Sequence, residues 1–365
     1  MKILTVIGAR PQFIKAAPVS RAIRSAPRGR GAGAIVEVLV HTGQHYDREM
    51  SDVFFQELDL PEPAYHLGVG AGPHGQQTGR MLEGVERVLE TERPDLVLVY
   101  GDTNSTLAGA LAAGKLRIPI AHVEAGLRSF NRAMPEELNR VVTDHLSTHL
   151  FCPTSLAVKN LSCEGIVKGV HLVGDVMHEV LKMSLPVAGT RSRVLEWLSL
   201  SPKAYDVATV HRAENTDGRG RLAGILTGLA ALDRPVLFPC HPRTKKMIEQ
   251  FGLAPLLSGS RVRVIEPLGY LDMLRLQSDA AVILTDSGGM QKEACWLGVP
   301  CVTLRDETEW VETVEAGWNR LAGTDPAAIV AAVHAALDGR PSESGPLLDD
   351  GRAAEKILAV LQAAC

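Results

Sequence analysis

The feature that most constrains this chain is a repeated rhythm: a short, almost wholly apolar run, a Gly-rich or polar turn, then a helical stretch. In the first half the runs are Ile3–Ile7, Val36–Val40, Leu96–Tyr100, Ile118–Val123 and His149–Cys152. In the second half they are Val207–Val210, Pro235–Pro239, Val262–Ile265, Ala281–Leu284 and Cys301–Leu304. Runs this short and this rich in Val and Ile read as strands buried on both faces. Helical segments between them imply right-handed βαβ units, hence parallel sheets and an α/β chain. A chain of 365 residues is long for one core and suits two domains. Both halves carry the rhythm, so two similar doubly wound sheets are expected. The least periodic stretch is Gly174–Lys203, punctuated by Pro186, Gly189 and Pro202. It places the hinge around Leu172–Asp175, dividing residues 1–172 from 173–351. The last helix, Arg352–Ala364, fits either domain by pattern, and the basic, Gly-rich segment Arg28–Ala34 reads as an exposed loop.

Several function classes fall away early. The composition, 45% hydrophobic and 22% charged, is that of an ordinary globular protein. A net charge of −4 gives no basic footprint for nucleic acid. No apolar run reaches the length of a membrane span. The N-terminus, Met1 to Gly8, continues into Ala9-Arg10-Pro11 instead of a cleavage site, so it reads as a first buried strand and the chain as cytoplasmic. The six cysteines, at 152, 163, 240, 295, 301 and 365, form no CxxC pair and read as free buried thiols. His41 and His45 are four apart but lack an intervening Glu and a third ligand, so zinc is not expected.

In open parallel sheets ligands bind beyond the carboxyl ends of the strands, so the strand-end turns are where chemistry belongs. The first strand ends in Gly8-Ala9-Arg10-Pro11-Gln12-Phe13, with Lys15 beyond. It is neither a dinucleotide fingerprint nor a P-loop. Arg10 and Lys15 sit where a helix start favours phosphate, although Arg10 serves equally well as a surface ion-pair partner. Asp102 follows the third run; taken alone it is a capping residue. Glu124 ends the fourth, where an unpartnered carboxylate would be expensive to bury. Pro135 opens a helix on which Glu136 and Arg140 share a face, ordinarily as a surface salt bridge. His211 ends the first strand of the second half beside Arg212, a phosphate partner or general acid if it is not merely structural. The clearest local signal is Thr285-Asp286-Ser287-Gly288-Gly289. The glycines let backbone N–H groups approach a pyrophosphate at a helix start, and Glu293 lies one turn on, suited to a ribose diol.

The succession GARPQF, TGQH, GDTNST, HVEAGLR, PEELNR, VHRAEN, TDSGGMQKEA and LRDETEW, from Ile3 to about Gly323, resembles the non-hydrolysing UDP-N-acetylglucosamine 2-epimerases. The resemblance implies the GT-B architecture, two Rossmann-like domains facing a cleft. The C-terminal helix, residues 352–365, would then return to the N-terminal domain. It implies catalytic roles for Asp102, Glu124, Glu136, Arg140 and His211. It implies substrate binding by Arg10, Lys15, Ser287, Gly288, Gly289, Glu293 and Arg305, with Leu268 and Met273 in the segment Pro267–Met273 that would enclose uracil. No cofactor or metal is implied, the partner is a UDP-sugar, and a homodimer is the family's habit.

Where family members carry T-E-R-P-E, this chain has Thr308-Glu309-Trp310-Val311-Glu312, so Trp310 replaces a substrate-binding arginine. Together with Gly317-Trp318-Asn319 and the basic stretch at His241–Thr244, this is similar to the branch acting on UDP-2,3-diacetamido-2,3-dideoxyglucuronate. In that branch an acetamido group would rest on Trp310 and an arginine would meet the carboxylate. Gln44 and Gln77 match two glutamines that bind an activating second UDP-sugar in bacterial relatives; a third is replaced in the Tyr46-Asp47-Arg48 segment. Three rival readings remain at this level: a GT-B glycosyltransferase, a hydrolysing epimerase and a non-catalytic UDP-sugar sensor.

Overall fold

Ten apolar runs become strands, and three further strands join them. In the computed structural model, which describes residues 1–26, 35–44, 55, 57–339, 341 and 349–363, the first sheet holds seven strands. They are β1 (Lys2–Ile7), β2 (Val36–His41), β3 (Tyr65–His66), β4 (Leu96–Tyr100), β5 (Ile120–Val123), β6 (His149–Cys152) and β7 (Val170–Leu172). Their order is β3-β2-β1-β4-β5-β6-β7, every pairing parallel. The second sheet holds β8 (Asp206–Thr209), β9 (Val236–Pro239), β10 (Val262–Ile265), β11 (Ile283–Thr285), β12 (Cys301–Thr303) and β13 (Asn319–Leu321). Its order is β10-β9-β8-β11-β12-β13, again all parallel. Both sheets are doubly wound. Each reverses direction once, between β1 and β4 and between β8 and β11, and these switch points are where such sheets place ligands.

The central strands are buried along their whole length, as their composition requires: β4 exposes nothing of Val97 to Tyr100. Each fully buried Val, Leu or Ile contributes about 1.5–3 kcal/mol relative to an exposed one. The sequence pattern overreaches at the edges. The run Val262–Ile265 forms an edge strand with Arg263 and Val264 exposed, so burial on both faces does not hold there. The edge strands β3, β7 and β13 carry Tyr65, His66, His171, Asn319 and Arg320, which interrupt any apolar run and hide them from the pattern.

The chain divides into two compact units, Met1–Val180 with Asp349–Cys365, and Leu181–Leu348. The division falls inside the helix Val176–Arg191. The weakly periodic stretch is thus largely helical, continuing into Val194–Leu198, with Pro186 inside the first helix. The last helix, Ala353–Ala363, packs on the helix Arg10–Ser25 of the first unit. His178 bonds Asp349 at 2.6 Å, pinning the returning chain. The loop Arg28–Ala34 lies outside the described residues, as do His45 and Tyr46-Asp47-Arg48.

Among the cysteines, Cys152, Cys240, Cys295 and Cys301 are free and buried, with burial pushing Cys152 and Cys301 up to about 12 and Cys240 to about 11. Cys163 departs from expectation: it is exposed, because it ends the surface helix Ser155–Cys163. Cys365 lies outside the described residues. Among the described residues no helix is long and apolar enough to cross a membrane.

Candidate active site

The switch point of the first sheet gathers a dense set of charges. Glu124 follows β5, and its carboxylate meets Lys15 Nζ at 2.5 Å with both side chains at least nine-tenths buried. Lys15 arrives from the helix Arg10–Ser25, 109 positions away in sequence. Glu124 adopts φ +71°, the left-handed region that a side chain rarely occupies. Such conformations cost on the order of 1–3 kcal/mol and cluster at functional sites. Its backbone N–H and that of Ala125 both donate to Phe151 O, at 3.0 and 3.1 Å, which holds the turn. Gly126 is required there, since a Cβ on it would lie 2.4 Å from Ala157 O.

Asp102 follows Gly101 at the end of β4. It does not cap the next helix: Thr103 does, accepting from Thr106 N. Asp102 forms an ion pair with Arg140 Nη2, and its backbone carbonyl accepts from Asn139 Nδ2 at 2.9 Å. Arg140 also binds Glu137 at 3.0 Å. Glu137 escaped the sequence reading; it additionally accepts from Ser129 N, Ser129 Oγ and Phe130 N, closing the loop before the helix. Glu136 sits half-buried in the first turn of the same helix, Pro135–Leu146.

A buried dyad ties the two carboxylate turns together. His122 Nδ1 bonds Asp144 Oδ1 at 2.7 Å and its Nε2 bonds Gly101 O at 2.8 Å. Asp144 also accepts from Gly126 N at 3.1 Å and Arg128 Nη1 at 2.7 Å. Burial alone would raise the Asp144 carboxyl; the His122 hydrogen bond and the Arg128 charge hold it below its ordinary value. The helix Pro135–Leu146 therefore presents Asn139 and Arg140 to the Asp102 turn and Asp144 to the Glu124 turn. Neither His122 nor Asp144 was singled out by sequence. The only signal was the polar spacing of 137, 140 and 144 on one helix face.

Arg10 begins its helix half-buried, and Gln12 reaches back to accept from Gly8 N and Ala9 N at 2.8 and 3.1 Å. Gln44 Oε1 accepts from Ser105 N and Oγ at 3.0 and 2.7 Å. Gln77 accepts from Asn104 Nδ2 at 2.8 Å and donates to Gly70 O at 2.8 Å. Both glutamines thus converge on the start of the helix Asn104–Lys115. His41 is buried and packs on Phe13, ring centroids 5.2 Å apart.

The second unit builds a different kind of site at its own switch point. Ser287 caps the helix Gly288–Trp296, accepting from Met290 N. The fully buried Asp286, missed by sequence, accepts from the backbone N–H of His211 and Arg212 and from Asn215 Nδ2. It thereby fastens the turn after β8 to the glycine loop. His211 Nδ1 lies 3.3 Å from Asp286, its side chain 39% exposed. Glu293 accepts from Gln277 Nε2 at 3.0 Å and from Tyr270 OH at 3.5 Å. Met273 is buried, and Leu268 packs beside it on the same core cluster.

Arg305 is fully buried and binds Glu309 at 2.9 Å. Trp310 is 2% exposed, and Lys292 Nζ lies 4.0 Å from its ring centroid. One ring face is therefore taken by the ammonium, not open as a platform for an acetamido group. Arg243 is engaged by Asp217, at 2.6 and 2.8 Å, and by Thr216.

Two doubly wound parallel α/β units, each with a cluster of charged and polar side chains at its switch point, define the GT-B class. The sequence matches the family described as UDP-N-acetylglucosamine 2-epimerase over residues 30–362. It is 54% identical, over 89% of both chains, to a UDP-N-acetylglucosamine 2-epimerase homolog of Methanococcus maripaludis. It is 48% identical, over 98% of both, to the UDP-2,3-diacetamido-2,3-dideoxy-D-glucuronate 2-epimerase of Pseudomonas aeruginosa. Its structure matches that of Methanocaldococcus jannaschii UDP-GlcNAc 2-epimerase in complex with UDP-GlcNAc and UDP, with TM-score 0.93, 44% identity and full coverage of both chains. The chain belongs to the UDP-N-acetylglucosamine 2-epimerase family, whose members are isomerases.

Proposed function

We propose that this enzyme inverts carbon 2 of a UDP-2-acetamido sugar, with UDP-N-acetylglucosamine as substrate, by elimination and re-addition of UDP. The observation that carries this reading is the strained Glu124 beside Lys15, two residues beyond the His122 that bonds the Asp102 turn. Carbon 2 of a glycosyl acetal is hardly acidic. Breaking the bond from carbon 1 to UDP gives an oxocarbenium-like centre that acidifies the C2 proton, and a carboxylate removes it to leave a 2-acetamidoglycal. Protonation of C2 on the opposite face and return of UDP to C1 complete the inversion. Asp102, Glu124 and Glu136 supply the carboxylates for this proton traffic, and Arg140 holds Asp102 in place. The departing diphosphate needs preorganised donors. The Ser287-Gly288-Gly289 loop and His211 supply them, while Glu293 takes the ribose and Leu268 with Met273 flank the base. In this reading the first unit carries the acid–base chemistry and the second holds UDP.

Incubation in D₂O with UDP-N-acetylglucosamine tests it. Deuterium should enter carbon 2 without an acceptor and without stoichiometric free UDP. Absence of exchange with this substrate and with the diacetamidoglucuronate analogue would sink the epimerase reading. Faster exchange with the analogue would instead place the chain with its Pseudomonas aeruginosa relative, a reading favoured by Trp310 standing at the arginine position.

We further infer a homodimer. The helix Pro135–Leu146 buries its charged face and turns Leu138, Val142 and Leu146 outward, 48%, 39% and 38% exposed and one turn apart. A second copy would cover this row, and Val142→Glu should lower the mass seen by light scattering to that of a monomer. A cytoplasmic location fits the five free cysteines among the described residues.

A further inference from the structure

Trp310 precedes the short helix Val311–Glu315, and its backbone is held on both sides. Its N–H donates to Thr308 Oγ1 at 3.1 Å and its carbonyl accepts from Thr313 Oγ1 at 2.7 Å. Thr308 in turn donates to Gln291 Oε1 at 2.6 Å, in the first turns of the helix Gly288–Trp296. Lys292 of the same helix covers one face of the indole. Position and orientation of the ring are therefore both set.

The indole nitrogen borders the start of that helix. It lies 3.1 Å from where a Cβ on Gly288 would stand, and Gly288 is the first helical residue. Trp310 as a residue is 2% exposed, yet among the described residues its indole nitrogen is neither hydrogen-bonded nor one of the fully enclosed unpaired atoms, so the N–H keeps access to a small ligand. Buried Trp N–H groups ordinarily have an acceptor. The first N–H groups of a helix face the same way and favour an anion. Glu309 also borders Gly288, its Oε1 2.3 Å from the same Cβ position, but Arg305 at 2.9 Å and Arg212 at 3.6 Å balance its charge.

We propose that the Trp310 indole N–H is a further hydrogen-bond donor to the diphosphate of a nucleoside diphosphate seated at the start of the helix Gly288–Trp296. The proposal rests on the reading of Ser287–Gly289 as a diphosphate loop. The acceptor is an anionic phosphoryl oxygen, so the bond is charge-assisted. Lys292 acts as a positioning residue, fixing the ring and drawing electron density from it.

Calorimetric titration of UDP and of uridine into the full-length protein and its Trp310→Phe variant tests this. The variant keeps a ring beneath Lys292 and loses only the donor. UDP affinity should fall on the order of tenfold or more, as expected for a bond to a charged group, while uridine affinity stays within about twofold. An unchanged UDP affinity overturns the proposal, and so does an equal loss for UDP and uridine, which would mark Trp310 as merely structural. If the unaltered protein binds UDP no more tightly than uridine, the diphosphate-loop reading itself fails, and this proposal with it.

Discussion

The strand-end turns of the two units solve different problems with different materials. The first unit confronts charge with charge: Lys15 with Glu124, Arg140 with Asp102 and Glu137, Arg128 and His122 with Asp144. It also holds a glutamate in left-handed backbone. The second unit surrounds its glycine loop mainly with neutral groups, Thr308, Gln291, Asn319 and Thr313, together with two carboxylates, Asp286 accepting backbone N–H groups and Glu309 paired with Arg305 and Arg212. Moving protons requires carboxylates whose protonation and aim are controlled by neighbouring charges. Holding a diphosphate requires many modest donors in fixed positions. Removal of one group should therefore be severe in the first unit and graded in the second.

The largest effect is expected at Glu124. Glu124→Gln should lower kcat about 10²–10⁴-fold, the usual worth of a positioned acid–base group, and leave UDP affinity within about twofold. Deuterium exchange and calorimetry read the two quantities separately, and an active variant would break the contrast between the units.

Asp144→Asn comes next. It touches no substrate in this reading but releases both carboxylate turns, so kcat should fall on the order of 100-fold with little change in UDP affinity. It also uncouples His122 and Arg128, a buried arrangement whose disruption costs about 3–5 kcal/mol, visible as a lower denaturation midpoint. The acid response should change as well. The folded state holds the Asp144 carboxyl below its ordinary value, so below that value the unfolded chain binds more protons. The stability from this group is fully present above about pH 4 and is lost as pH falls through the folded value. A stability–pH curve for the Asn variant should lack this part of the acid limb.

Gly288→Ala should be intermediate. Its Cβ would stand 2.3 Å from Glu309 Oε1, so either the Glu309 carboxylate or the glycine loop must shift. UDP affinity should fall about tenfold, roughly the 1.4 kcal/mol of one good phosphate contact, with kcat at saturation nearly kept. The smallest effect is expected from Thr308→Val. It removes the two neutral hydrogen bonds of Thr308 Oγ1, one donated to Gln291 and one accepted from Trp310 N, each worth about 1 kcal/mol, and because neither touches the ligand it should weaken UDP binding only a few-fold. A loss as large as that of Glu124→Gln would show that the second unit is not graded at all.

Much of this was legible in the chain itself. Central strands of a doubly wound sheet are buried on both faces, so β1, β4, β8 and β9 stand out as apolar runs, and their ends point to Arg10, Asp102 and His211 without any coordinates. Of the edge strands only β10 was legible as an apolar run; β3, β7 and β13 are two or three residues long and carry polar side chains, so they show no distinct pattern. The helix Pro135–Leu146 shows a third limit. Its amphipathic spacing is plain, but the buried face is the charged one, Glu137, Arg140 and Asp144, and the outer face holds Leu138, Val142 and Leu146. Sequence periodicity reports that two faces differ and is silent on which one turns inward when the interior is itself a polar site.

The sequence by itself determined the α/β rhythm, the duplication of that rhythm and the chemistry standing at each strand end, because those depend on neighbours within a few residues. Only the tertiary structure decided which charges meet. Lys15 and Glu124 are 109 positions apart, His211 and Asp286 75 apart, and Trp310 reaches Lys292 only after an intervening strand. Pairing of this kind depends on distances of a few ångströms between distant chain segments, which strand order and register set and local pattern does not. The left-handed backbone of Glu124 belongs to the same category, since its strain persists only while Phe151, Lys15 and the Asp144 network hold it from three other elements.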